Sequence, residues 1–260
     1  MITPEAITLI FMTVFGLCVG SFLNVVIARI PEGRSIVYPG SACLQCGKSI
    51  AWYDNLPVFS YALLRGRCRN CRGPISWRYP TVEIACGILF VLVYSRFEQG
   101  TALASALILL AGLVAITAID LDHQIIPDVL SLPGIALGIL FSLAPGGIGW
   151  APSLLGVLLG GGVFLLIIAA STLVIGQAGM GVGDVKLGAM LGAFLGWKLA
   201  LLSILLSVLL GGPLAAILLA TGRKGRKDPI PFGPFLALGG LISLFWGEEV
   251  LTWYFNQFLS

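Results

Sequence analysis

Two stretches of this chain carry no charge over lengths that a water-soluble fold rarely needs: Ala6–Ala28, 23 residues, and Ala151–Ile175, 25 residues. About 20 apolar residues in a helix cross a bilayer, because the rise is 1.5 Å per residue and the hydrocarbon core is about 30 Å thick. Charged residues make up 10% of the whole chain and the mean hydropathy is +1.00, whereas soluble domains carry about 25% charge. A polytopic membrane protein is implied, with little room for a large soluble domain. Ala6–Ala28 is too long for a signal-peptide core and lacks a basic segment before it, so it reads as a retained membrane helix.

The apolar runs predict eight spans: Ala6–Ala28, Thr81–Ser95, Thr101–Ile119, Val129–Ala144, Ala151–Ile175, Val185–Trp197, Leu199–Ala220 and Phe235–Trp253. The second and sixth are short, but short or glycine-rich segments can span when neighbours bury them. The basic residues support the count. With eight spans, Arg29, Arg34, Lys48, Arg65, Arg67, Arg69, Arg72 and Arg78, with Arg223, Lys224, Arg226 and Lys227, fall on one face, and only Arg96 and Lys198 on the other. Basic loops stay in the cytosol, and they suit anionic lipid headgroups. The expected fold class is therefore an all-α polytopic membrane protein with a small cytosolic module. Residues 1–28 form the first membrane helix, 29–80 a turn-rich cysteine module without a sizeable core, and 81–260 a seven-helix membrane core.

Six cysteines divide by setting. Cys18 and Cys86 lie in apolar spans, as small hydrophobes. Cys43 and Cys46 ("CLQC") and Cys68 and Cys71 ("CRNC") form two C-x2-C knuckles. That spacing can present four thiolates tetrahedrally, as a structural Zn2+ site requires. Two disulfides are the alternative, disfavoured in a reducing cytosol. Four cysteines leave no open coordination position, so the metal holds the loop together and does no chemistry.

Carboxylates at a membrane edge need a reason. "AIDLDHQIIPD" supplies Asp120, Asp122 and Asp128, and "GMGVGD" supplies Asp184 after Gly179, Gly181 and Gly183. Asp122 and Asp128 read as loop and capping residues. Asp184 alone fits a helix-terminal cap as well as a chemical role. Asp120 and Asp184 fall at one face and depth, and intramembrane ionisable residues point to function. Two juxtaposed carboxylates cannot both ionise, so one serves as base and the other as acid. The glycines suggest a Cβ-free strip where an extended substrate backbone could lie beside Asp184. His123, the only histidine, reads as a polar interfacial residue. The prolines of "PIPFGPF" (Pro229 to Phe235) forbid helix at the entry to the last span, a segment suited to lining a groove.

With "GSFLNVVIARIP" (Gly20 to Pro31), "DNLPVFSYALLRGRCRNC" (Asp54 to Cys71), "ISWRYPTVE" (Ile75 to Glu83) and "PIPFGPFLALGG", these motifs span nearly the whole chain. The ordered set resembles the type IV prepilin peptidases, membrane aspartic proteases of the GxGD type. The resemblance implies an enzyme of the bacterial inner membrane that cuts the leader of prepilins or pseudopilins after a Gly at the cytosolic face. It then N-methylates the new N-terminal residue with S-adenosylmethionine. Carried onto this chain, the catalytic pair is Asp120 and Asp184, and the metal ligands are Cys43, Cys46, Cys68 and Cys71. No glycine-rich nucleotide fingerprint marks the methyl-donor site, and no nucleic-acid partner is expected. Two other classes compete: a proton-coupled transporter using the embedded aspartates, and a non-catalytic pilus-assembly scaffold.

Overall fold

A computed structural model describes residues 3–97, 100–176, 180–222 and 230–258. Among these residues the regular structure is helical, with two isolated β-bridges, Ala42 with Ser49 and Arg67 with Pro74. The chain divides into two compact units, Met1–Glu98 and Gln99–Ser260.

The first unit pairs helix α1 (Pro4–Arg29) with α3 (Arg78–Arg96), joined by a loop that holds a 3-10 turn (Trp52–Asn55) and the short α2 (Phe59–Leu63). α1 and α3 run antiparallel, and small residues set how closely they approach. A Cβ on Gly16 would lie 2.8 Å from the Cys86 carbonyl oxygen, and one on Gly20 would lie 2.7 Å from the Glu83 Cα. Such glycine contacts, four residues apart, are how membrane helices bring backbones together when no hydrophobic gain separates protein from lipid. Further along, the Asn24 side-chain amide donates to the Tyr79 carbonyl at 3.0 Å. In the connecting loop only Ser60 is buried between residues 31 and 77. The module therefore has no core of its own, as its turn-rich composition suggested.

The second unit contains α4 (Thr101–His123), α5 (Asp128–Leu143), α6 (Trp150–Ile175), α7 (Val182–Ala220) and α8 (Gly233–Phe258). A straight helix of 39 residues would be about 58 Å long, nearly twice the hydrocarbon core. α7 is not straight: Gly196 interrupts it at φ 76° and ψ 171°, a conformation open almost only to glycine. The neighbours of its two limbs show a reversal. The start of α8 at Gly233 meets Asp120 near the end of α4, Gly183 at the start of the first limb meets Ile126 just after α4, and Gly240 of α8 faces Leu191, so the first limb runs parallel to α8. Gly211 meets Phe235, Gly239 meets Ser203 and Ser207, and Gly247 meets Leu199, so the second limb runs antiparallel to α8. The single helical run is thus a hairpin folded at Gly196.

With that hairpin, the described residues hold eight long apolar helical segments, two in the first unit and six in the second, in line with the roughly eight spans that the sequence predicts. Six helices, α7 among them, are long and apolar enough to cross a membrane, and α5 is shorter at 16 residues. The short sixth span survives because it is buried: most of Leu187 to Leu195 is inaccessible. Gly188 and Gly192 of this limb face Gly160 and Gly156 of α6 so closely that no Cβ fits on either side. Leu113, Ile116, Phe164, Leu187, Leu191 and Leu236 fill the centre of the unit.

Candidate active site

The hairpin determines what lies at the end of the second unit. It brings the start of α7 to the end of α4 and the start of α8. Asp120 sits in the last turn of α4, 5% exposed, after the fully buried Ile116 and Ile119. Asp184 sits in the first turn of α7, 8% exposed. Each carboxylate accepts one backbone N–H: Asp120 Oδ2 from Gly233 at 2.9 Å and Asp184 Oδ2 from Gly181 at 3.2 Å. Gly183, next to Asp184, lies against Ile126 of the connection that follows α4, which brings the two carboxylates to one end of the unit. Neither carboxylate has an ion-pair partner among the described residues. The chemistry open to such a pair is proton exchange with a third group held between them.

Asp128 and Asp122 stand apart. Asp128 begins α5, is exposed and pairs with Lys186 at 2.5 Å. Asp122 is exposed on the last turn of α4, as is His123. α4 ends in a left-handed residue, Gln124, at φ 55°. Residues 125–127 are non-helical up to Pro127, as the clash of a proline ring with the preceding residue requires.

The four knuckle cysteines come together in the first unit. Their Sγ atoms lie within 4.8 Å of one another, and Cys43 and Cys71 are 3.8 Å apart. Tetrahedral Zn–S bonds of about 2.3 Å place sulfurs roughly 3.8 Å apart, so the donor set and its spacing fit a four-coordinate metal. Each knuckle is closed by backbone bonds: Cys43 N–H to Lys48 and Gly47 N–H to Cys43, then Cys68 N–H to Gly73 and Arg72 N–H to Cys68. The N–H groups of Cys46 and Gln45 stabilise the Cys43 thiolate and bring its pKa down to about 6. At Cys71 the Gly73 N–H pulls the same way, but burial and the neighbouring sulfurs outweigh it and push the thiol up to about 11. A cation among the four would remove that mutual opposition.

The bacterial peptidase A24 N-terminal domain model matches residues 14–97, and the type IV leader peptidase family model matches residues 107–216. A prepilin leader peptidase/N-methyltransferase from Aeromonas hydrophila is 39% identical, covering 97% of this chain and 94% of the relative. The chain belongs to the type IV prepilin leader peptidase family. Relatives of the same description from Myxococcus xanthus and Pseudomonas aeruginosa are 45% and 39% identical, covering 84% and 92% of this chain and 65% and 90% of their own lengths. No solved structure matches. Neither the transporter nor the scaffold alternative is favoured by these relatives.

Within this family frame, the structure revises the role given to the glycines before Asp184. A Cβ on Gly183 would lie 2.9 Å from the Ile126 Cβ. The bare Cα of Gly183 is therefore occupied by the α4–α5 connection and leaves no strip for a substrate. A Cβ on Gly181 would meet Asp184 Oδ2 at 3.6 Å and the Gly183 nitrogen at 3.9 Å, and Gly179 lies outside the described residues, as do Arg223, Lys224, Arg226, Lys227 and Pro229.

Sequence reasoning set Gly233 with the prolines as a helix-blocking residue and missed its contact with Asp120. "PIPFGPF" does block helix until Gly233, but its main contact is with Asp120: a Cβ there would lie 2.6 Å from Asp120 Oδ2. Phe232 beside it packs edge-on against Phe164, ring centroids 5.9 Å apart. The proline-rich entry thus holds a backbone N–H against a carboxylate 113 residues away.

Proposed function

We propose that the chain cleaves the leader of type IV prepilins or pseudopilins with Asp120 and Asp184 and then methylates the new N-terminus. The family and its curated relatives support the pair of activities. The observation that supports the residues is the burial of two carboxylates without a cation among the described residues, one at the end of α4 and one at the start of α7, where Gly183 packs on Ile126 of the α4–α5 connection. Two such carboxylates hold one proton between them. The ionised member takes a proton from water as it attacks the scissile carbonyl. The protonated member donates to the developing oxyanion or the leaving amine, and the products regenerate the shared proton. The backbone N–H groups of Gly181 and Gly233 each hold one oxygen of a carboxylate, Asp184 Oδ2 and Asp120 Oδ2.

The cysteine cluster is read as a structural zinc site, with Cys43, Cys46, Cys68 and Cys71 as ligands and no part in proton transfer. The basic loops favour placing it, with the aspartates, on the cytosolic side of a bacterial inner membrane. S-adenosylmethionine, when bound, supplies a methyl group to the neutral terminal amine, leaving a thioether and one proton.

The test is processing of a purified prepilin by purified enzyme in detergent. Asp120→Asn and Asp184→Asn each keep size and polarity but lose the titratable proton. Mass spectrometry of the product is expected to show no leader removal by either variant; wild-type-like cleavage by one would remove that residue from the pair.

A further inference from the structure

The α4–α5 connection carries the chain from Asp120 to the start of α5 in a few residues, and it touches the start of α7 twice. Ile126 lies against the bare Cα of Gly183. Asp128, the first residue of α5, accepts from Lys186 Nζ at 2.5 Å. The two contacts stand on either side of Asp184 in the sequence. Beyond them, α5 and the first limb of α7 run side by side in the same direction. Gly134 meets Met190, and a Cβ on Gly138 would lie 2.7 Å from the Ala193 Cβ.

That glycine packing holds the two helices together without help from the ion pair. The pair itself is open to solvent, with side-chain exposures of 27% for Lys186 and 56% for Asp128, and exposed ion pairs add little to global stability. Its effect is local. The residue before α5, Pro127, supplies no side-chain cap, and helix ends without caps open readily. Asp120 lies in the last turn of α4, and the connection after it leaves through the left-handed Gln124. The Asp128–Lys186 bond ties the far end of this connection to α7. Lys186 does not serve Asp184 in the same way. Residues two apart on a helix do not face each other, and Asp184 Oδ2 accepts from the Gly181 N–H.

We infer that Lys186 and Asp128 are positioning residues for leader cleavage: their ion pair latches the α4–α5 connection to the start of α7 and so sets the approach of Asp120 to Asp184. The inference rests on the reading of those two aspartates as the catalytic pair. Neither member of the latch needs to touch the substrate. A latch beside the reacting groups acts on rate, because a misplacement of about 1 Å costs about 10^2-fold.

The measurement is steady-state cleavage of a purified prepilin by full-length enzyme in detergent, with thermal unfolding of the same samples. Lys186→Met keeps an unbranched side chain without the charge, Asp128→Ala removes the acceptor, and Lys186→Arg keeps the charge. For Lys186→Met and Asp128→Ala, kcat is expected to fall on the order of 10- to 100-fold, with KM and Tm close to wild type. Lys186→Arg should retain most of the rate. The double variant Asp128→Ala/Lys186→Met should lose no more than either single one, as two residues acting through one interaction do. Wild-type kcat in either single variant overturns the latch. A lost rate matched by a fall in Tm also overturns it, because a merely structural pair would give that. So do losses that add in the double variant. Recovery of Asp128→Ala on adding Lys186→Met would mean that Asp128 only keeps the ammonium from Asp184, and overturns it too. Asp184→Asn is run beside them. If Asp184→Asn is inactive and Lys186→Met unimpaired, the latch alone is defeated, whereas full cleavage by Asp184→Asn defeats the catalytic pair on which it rests.

Discussion

At the residue scale, the two aspartates were legible because a charge stands out in an apolar sequence, and because removing a carboxylate from water demands compensation. Asp120→Asn and Asp184→Asn are each expected to lower leader cleavage by about 10^4-fold or more, as for one member of a catalytic unit. Gly233 was not legible, since nothing local to "PIPFGPF" reports a contact with the end of α4. Its backbone N–H and missing Cβ both serve Asp120, so Gly233→Ala should displace that carboxylate. A loss of cleavage of about 10^2-fold is expected, the size of effect that follows a shift of about 1 Å in a reacting group. Single-turnover rates at saturating prepilin check it. Gly183 tests the revised reading of the glycine frame. Gly183→Val meets Ile126, and overpacking costs about 1–3 kcal/mol. Lowered thermal stability is expected, with recovery in the double variant that adds Ile126→Ala. A substrate-access role would give no recovery.

At the element scale, hydropathy found the spans because lipid imposes length and apolarity on each one. It showed that the sixth and seventh spans reverse but not how they do so with almost no loop between them, because the reversal rests on a single glycine's backbone angles. Gly196→Ala forces a side chain into a nearly glycine-only conformation, with a penalty of about 1–3 kcal/mol. Gly192 makes a different demand. It faces Gly156 with no room for a Cβ, so Gly192→Leu must separate α6 from the first limb of α7, which carries Asp184. The expected order of severity is therefore Gly192→Leu above Gly196→Ala, both in thermal unfolding in detergent and in loss of cleavage. Equal stability of Gly192→Leu and wild type would contradict the close helix contact. The paired glycine spacings in α6 and α7 were available in the sequence, but a small-residue stripe gains meaning only once its partner is known.

At the scale of the whole molecule, two compact units carry two different kinds of site. The second unit has an interdigitated apolar centre, whereas residues 31–77 of the first bury only Ser60. A segment of that size without a core needs a staple, and the four sulfurs are the candidate. Metal binding is then folding free energy for the loop and not for the α4–α8 bundle. Metal removal should accordingly act on one unit more than the other. Stripping zinc with a chelator, or substituting Cys46→Ser, is expected to open the basic loop to trypsin at Arg65 to Arg72 and to lower methylation. Cleavage by the aspartate pair should decline far less. Proton uptake and release give an independent reading. With Cys43 already ionised near neutral pH and Cys71 held up to about 11, rebinding must expel protons, so metal affinity should rise with pH. Calorimetric titration in two buffers of different ionisation enthalpy measures that proton release. Equal loss of cleavage and methylation on metal removal would mean that the loop supports both sites, and that zinc acts beyond its own unit.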